Sequence, residues 1–359
     1  MPRGRPALQP KPCLRPVCAA TGCGRKHEST NHWRSGPVTR ILVVRLGSLG
    51  DVIHALPAVA SLKHSFPGSH LTWAIESRWA CLLEQNPYVD RVLEIARSSA
   101  AGLVSAFRSL RAVRFDLAID FQGLMKSALL ASLARADRIF GFHRSQVREK
   151  PAGLCYSDSV LSPSAHVVER NLDLAAAAGA GSLLRTFPLP PGSPEGSLPD
   201  AFVLASPLAG WGAKQWPLEY YDRLAALLKE EAGLPLVLNG PPEAAAALSQ
   251  ASHAAPHVSG IAGLIFATRA AVAVAGVDSG PLHLAAALGK AGVAIYGPTD
   301  PARNGPAGGS FQVLRAAGAS TTYERKAGID GSMRAITPEM ALAALKPHLV
   351  GRAWRAGQT

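Results

Sequence analysis

The sequence predicts an α/β protein made of two doubly wound domains facing a central cleft. Three observations carry this. Apolar runs alternate with amphipathic segments from residue 39 to about 185, and again from 202 to 347. Between the two series lies FPLPPGSPEGSLP (186–198), a Pro/Gly/Ser-rich linker. Each series opens with a buried-strand pattern that runs into a glycine-containing turn and a helix start. Such alternation implies parallel sheets of Rossmann-like units. At 359 residues with 48% apolar content, the chain is long enough to fill two such cores.

The elements follow in order. Four consecutive apolar residues, Ile41–Val44, give a buried strand, and the amphipathic stretch from Val52 to His64 gives a helix. Leu71–Ile75 and Arg91–Ile95 are the next strands, and a helix near 100–112 follows. Leu117–Asp120 is a fourth strand, closed by the turn Asp120-Phe121-Gln122-Gly123, and Met125–Leu133 is helical. Arg138–Gly141 makes a short strand, and 163–178 a helix. After the linker, Phe202–Ala205, Leu236–Asn239, Ala271–Gly276 and Val293–Tyr296 read as strands. Helices at 218–230, 242–251 and Leu282–Leu288 join them, and a last helix, about 338–347, starts at Pro338. The domains are therefore 39–188 and 189–350.

Residues 1–38 have few apolar positions, no period and many breakers, which reads as a disordered basic extension. Residues 1–40 hold eight Lys/Arg against one acid, Glu28, and so supply +7 of the net +12. The body is only mildly basic, which argues against nucleic acid as a partner and suits phosphorylated ligands or an anionic membrane surface. Cys13, Cys18, Cys23, His27 and His32 sit in the extension with spacing wider than zinc pairs. Five Cys in this length do not make a disulfide framework, which favours a reducing compartment. No stretch approaches the roughly 20 apolar residues of a membrane span. No secretory signal is visible. Neither half carries G-x-G-x-x-G, a P-loop or G-x-S-x-G, which counts against dinucleotide, P-loop and hydrolase chemistry.

The candidate site residues cluster at strand ends. Asp51 follows Gly47-Ser48-Leu49-Gly50 at the carboxyl end of the first strand, where open α/β sheets keep their ligand crevices. The competing reading is a helix N-cap. Gln122-Gly123-Leu124-Met125-Lys126-Ser127 repeats the strand–turn–helix pattern, and Arg135, Arg138, Arg144, Arg148 and Lys150 follow. Arg108, Arg111 and Arg114 form a second basic group. In the second half Lys214 stands in a Gly/Ala-rich loop, a setting suited to a diphosphate. Asp278-Ser279-Gly280-Pro281-Leu282-His283 opens a helix, a ready anion site. There Asp278 orients the loop or accepts from a sugar hydroxyl, and His283 is a phosphate donor or a packed core residue. Tyr296-Gly297-Pro298-Thr299-Asp300-Pro301 is a further turn at the same edge.

Taken together, RLGSLGDVIHALPA, DFQGLMKSALLA, HVVERN (166–171), KQWP (214–217), VDSGPLHLAAALGK and YGPTDP resemble the bacterial ADP-heptose:lipopolysaccharide heptosyltransferases, glycosyltransferase family 9, in its heptosyltransferase I branch. The resemblance covers about 40–347. It implies a GT-B fold, with acceptor binding in the N-terminal domain and nucleotide-sugar binding in the C-terminal one. It implies an inverting transfer of heptose from ADP-heptose to Kdo of nascent lipid A–Kdo, with Asp51 as general base and Lys214 stabilising the leaving ADP. Ala209, Gly210, Glu243, Asp278, Ser279, Gly280 and His283 map to the donor site, and Ser48, Gly50, Gln122 and Lys126 to the acceptor site. No metal and no cofactor beyond the donor is implied, and the place of action is the cytoplasmic face of the inner membrane, held peripherally. The sequence departs from the family at Ala209-Gly210, where small hydroxyl residues are usual, and at 259–270, which reads as a shortened helix. Two alternatives stay open: a related transferase with another nucleotide sugar or acceptor, and a non-catalytic sugar-nucleotide-binding protein.

Overall fold

Ile41, Leu42, Val43 and Val44 are completely buried, which a strand achieves only with neighbours on both sides and cover on both faces. The computed structural model describes residues 39–96, 100–322 and 324–349, all within one compact unit. β1 (Arg40–Val44) lies inside a parallel sheet with β2 (His70–Glu76), β3 (Arg91–Ile95), β4 (Phe115–Asp120), β5 (Ala136–Phe142) and β6 (Asp158–Val160). The order is β3-β2-β1-β4-β5-β6. Helices α1 (Leu49–Ser65), α2 (Ala100–Arg111), α3 (Met125–Leu133) and α4 (Val167–Ala177) cover it.

The second half repeats the plan. β7 (Val203–Ser206), β8 (Leu236–Gly240), β9 (Ala255–Val258), β10 (Ala273–Val277), β11 (Ala291–Tyr296) and β12 (Ser310–Arg315) pair in the order β12-β11-β10-β7-β8-β9. The helices here are α5 (Leu218–Ala232), α6 (Ala245–Leu248), α7 (Ile261–Ala270), α8 (Gly280–Ala287), α9 (Pro301–Asn304), α10 (Gly331–Arg334) and α11 (Pro338–Leu349). Both sheets are doubly wound. Each has its switch point where the first and fourth strands lie side by side, β1 against β4 and β7 against β10. Ligand crevices form beyond such points.

Three strands escape the sequence reading: β6, β9 and β12. They are sheet edges or short, and their residues are mostly half-buried or exposed, so no continuous apolar run marks them. Pro256 stands within β9, a place open to proline only at an edge. The helix expected over 242–251 is only a 3₁₀ turn, Pro242–Ala244, followed by α6. Residues 259–270, expected to give a shortened helix, hold the ten residues of α7. Cys81 and Cys155 are free thiols. The extension 1–38, with its Cys/His set, lies outside the described residues. Among the described residues no helix is long and apolar enough to cross a membrane.

The halves meet along α1 and α8. Gly50 faces the His283 imidazole, and a Cβ there would lie 2.7 Å from it. Gly280 likewise faces Leu49, with a Cβ falling 2.7 Å from that side chain. Two glycines thus let the helix starts touch, and the loops flanking them face a common cleft.

Candidate functional site

The loop from β1 to α1 presents Asp51 in a fixed pose. Asp51 is the third residue of α1, and Ser48 is its N-cap. The Ser48 amide and hydroxyl both donate to Oδ2, at 3.1 and 3.0 Å. The capping reading is therefore half right: the carboxylate caps through the third position of a capping box. Its other oxygen, Oδ1, meets Arg45 Nη2 at 2.5 Å. Arg45 is itself buried, and its second guanidinium nitrogen donates to the Phe121 carbonyl. The Asp51 side chain remains 42% exposed and opens into a chamber of about 260 Å³. Gln122, Gln146, Arg148, Arg170 and Asn171 line it from the first half, and Arg303 and Asn304 from the second.

The adjacent loop, 121–124, hangs on a buried carboxylate. Asp120 accepts from the amides of Gln122 and Gly123, the Ser127 hydroxyl and the Tyr156 hydroxyl, at 2.8, 3.3, 2.8 and 2.8 Å. Burial raises the Asp120 pKa against the pull of these donors. The loop's tight path uses Gly123 at φ +68°. Gln122 Oε1 accepts from the Leu46 amide at 2.8 Å, which ties the two loops together.

Lys214 and Asp278 meet in the second half. The 3₁₀ turn Gly212–Lys214 is anchored by Trp216, whose indole donates to the Ile336 carbonyl at 2.8 Å. Lys214 Nζ lies 3.0 Å from Asp278 Oδ2 and 5.5 Å from the centre of the Trp211 ring. The His283 Nε2 lies 3.2 Å from Asp278 Oδ1. Burial alone would lift the Asp278 pKa, but the His283 hydrogen bond and the Lys214 charge hold it down to about 2. Both carboxylate oxygens are engaged and the residue is 3% exposed, an arrangement in which Asp278 orients the loop. His283 is buried, with its ring 4.3 Å from that of His54. Its burial fits the core-histidine reading, and its Nε2 is directed to Asp278. Ser279 caps α8 from a buried position, and its hydroxyl has no hydrogen-bond partner.

A second, mostly apolar cavity of about 260 Å³ lies beside this loop. Leu208, Pro241, Ile261 and Leu264 line it, with Ser206, Asn239 and Ser259 as polar points, and Leu49 and Trp79 reach in from the first half.

Asp51 and Gln122 thus share one chamber, and Ser48 sits at the cap beneath Asp51. Lys214, Asp278, Ser279 and His283 form one cluster. Gly50 and Gly280 belong to the seam between the halves. Ala209 is half-buried and Gly210 exposed in the loop before Lys214. Lys126 does not line the chamber and pairs with Glu76 at 3.5 Å. Glu243 is exposed on the 3₁₀ turn next to Pro241. Sequence reasoning gave no role to Arg45, Arg170, Arg303 or Trp79. Arg45 left a signal as a charge closing the apolar run ILVV, and Arg170 stands within the motif HVVERN. Among the described residues no group of three or more His, Cys, Asp or Glu is placed to hold a metal ion.

Comparison with known proteins identifies the family to which this fold and sequence correspond. Residues 103–331 match the model of glycosyltransferase family 9 (heptosyltransferase). The chain is 33% identical over 300 residues to lipopolysaccharide heptosyltransferase 1 of Pseudomonas aeruginosa, covering 76% of this chain and 82% of that protein. It is 30% identical over 305 residues to the enzyme of the same name from Escherichia coli K12, covering 77% and 93%. Among solved structures, E. coli heptosyltransferase WaaC with ADP superposes with a TM-score of 0.69 at 26% identity, covering 86% of this chain and 100% of that one. E. coli ADP-heptose lps heptosyltransferase II gives 0.70 at 26% identity, covering 87% and 99%.

Proposed function

The chain belongs to glycosyltransferase family 9, the heptosyltransferases, and from that premise we propose that it moves heptose from ADP-heptose onto the Kdo of nascent lipopolysaccharide, inverting the anomeric centre. It is a heptosyltransferase I-like glycosyltransferase of lipopolysaccharide core synthesis. In this reading Asp51 takes the proton from the acceptor hydroxyl as that oxygen attacks the anomeric carbon. The bond from that carbon to the diphosphate oxygen breaks, and ADP leaves with the electron pair. Lys214 offsets the charge building on the diphosphate, and the first amides of α8 face the same anion. The apolar cavity beside Pro241 and Ile261 suits the flat adenine ring.

The observation that carries the proposal is Asp51. Its carboxylate is held by Ser48 and Arg45, still open, in a chamber whose walls come from both halves. General-base work requires such a fixed and accessible group. A second observation supports an acidic acceptor. Burial and the neighbouring Arg303 guanidinium lower the pKa of Arg170, so the chamber holds crowded positive charge that the carboxylates of Kdo relieve. Acceptor lipid at the cytoplasmic face of the inner membrane implies peripheral contact with that membrane.

Incubation of the purified chain with ADP-heptose and Kdo₂-lipid A, read by mass spectrometry, tests the proposal. The expected product is heavier than the acceptor by one heptose residue. Transfer from a UDP-sugar instead, or donor binding without transfer, overturns it in favour of a different donor or a non-catalytic role.

A further inference from the structure

We propose that the outer face of α2, α3 and the turn 150–155 is the surface by which this protein docks on an anionic bilayer; the inference rests on the lipid-linked acceptor proposed above. α3 touches both α2 and the turn. Their inner residues, among them Ala106, Leu110 and Ala131, are buried in the core of the first sheet. Their outer residues do something soluble helices avoid. On α2, Val104 is 47% and Phe107 38% exposed, and on α3, Leu129 is 50% and Leu133 40% exposed. Leu154, in the turn 150–155, is 83% exposed.

Spacing makes this one face. Val104, Phe107, Arg108 and Arg111 fall at i, i+3, i+4 and i+7, a single stripe of α2. Lys126, Leu129 and Leu133 fall at i, i+3 and i+7 on α3. The charges between the apolar residues have one sign. Arg108, Arg111, Arg135 and Lys150 are exposed, and among the described residues none of them joins an ion pair. No Asp or Glu occurs from 100 to 115 or from 121 to 136. Glu149, the acid at the margin, accepts from the Met125 amide at 2.7 Å.

Arg111 stacks its guanidinium over the Phe107 ring, 5.6 Å from its centre, and apolar side chains interleaved with bases that join no carboxylate match the boundary between headgroups and acyl chains of an anionic leaflet. A polyanion such as nucleic acid gains nothing from Leu129 or Leu154. A second copy packed on the same face would set arginine against arginine. The position also serves the reaction. Leu124, just before α3, lines the Asp51 chamber, so a bilayer on this face lies beside the mouth through which a lipid-borne sugar enters.

Co-sedimentation of the full chain with phosphatidylcholine vesicles, with and without about 30% phosphatidylglycerol, tests the surface. Binding is expected only with the anionic lipid. Phe107→Ser/Leu129→Ser/Leu154→Ser and, separately, Arg108→Gln/Arg111→Gln are each expected to lower partitioning about tenfold. Neither variant touches the chamber, so turnover of a water-soluble Kdo acceptor stays unchanged while that of vesicle-borne acceptor falls. Full vesicle binding by both variants overturns the proposal and assigns the affinity elsewhere, the basic extension included. A change of oligomeric state in light scattering, with vesicle binding intact, overturns it in favour of an interface between copies. Vesicle binding lost in the variants while the unmodified chain transfers no heptose keeps the surface and refutes the enzymatic reading alone.

Discussion

Asp120 in the first half and Asp278 in the second stand at the same station, at the end of the fourth strand of each sheet and beside the switch point. Their surroundings differ in kind. Asp120 receives four neutral donors, and burial raises its pKa. Asp278 receives Lys214 and His283, which hold its pKa at about 2. Desolvation penalises both carboxylates equally in principle, so the partner decides the outcome. Neutral donors build a loop, and Asp120 shapes the turn that carries Gln122 into the chamber. A cation partner fixes charge in space, and Asp278 holds Lys214 at the start of α8. One topology thus serves shape in one half and charge in the other, and Asp51, the base in the function proposed above, belongs to the half whose fourth-strand carboxylate places no cation.

The largest expected effect separates Asp51 from both. Asp51→Asn keeps one oxygen for Ser48 and removes the base, so kcat falls by about 10³-fold while ADP still binds in calorimetry. Retained turnover in that variant breaks the assignment of chemistry to the first half.

The next effects test the comparison directly, by urea unfolding of two variants. Asp278→Asn leaves the Lys214 ammonium, 15% exposed, without its counter-charge, and costs about 3 kcal/mol. Asp120→Asn presents an amide to two of the four donors and costs about 1–2 kcal/mol. The pH dependence separates them further. A carboxyl held at about 2 stabilises the fold above its ordinary value near 4, and that contribution is lost as pH falls through about 2. Asp278→Asn removes this acid limb, and Asp120→Asn leaves it in place. Equal losses with identical acid limbs would mean that charge placement is not what distinguishes the halves.

The same contrast explains what was legible in the sequence. β1, β4, β7, β8, β10 and β11 are mostly buried and predominantly apolar because they are covered on both faces, and burial writes itself into composition. β12, with its exposed and half-buried pattern, leaves no such trace. Asp51 was visible because its loop, cap and helix are contiguous. Arg148, Arg170 and Arg303 were not visible as a group, since they converge from three separate elements and no local pattern encodes that meeting. Asp278 was visible as a motif, but its partner sits 64 residues earlier, so its role as holder of Lys214 emerges only in three dimensions.

The smallest effect concerns the seam that joins the two regions. His54 on α1 is buried against His283 of α8, with their rings 4.3 Å apart, and His166 lies 6.2 Å away. Its carbonyl accepts from Asn171, and its Nε2 has no partner. Burial, then the charges of His283, His166 and Arg45, lower the His54 pKa well below 6.5. In the unfolded chain the imidazole takes its proton near 6.5, whereas in the folded chain it does so only at lower pH. Unfolding therefore binds a proton, and stability present above 6.5 declines as pH falls below it. The thermal midpoint is expected to drop between pH 7.5 and 5.5, and His54→Leu, which fills the same apolar seam without titrating, to flatten that slope. If the slope is unchanged in His54→Leu, the proton is taken elsewhere and the seam is not where the two halves feel pH.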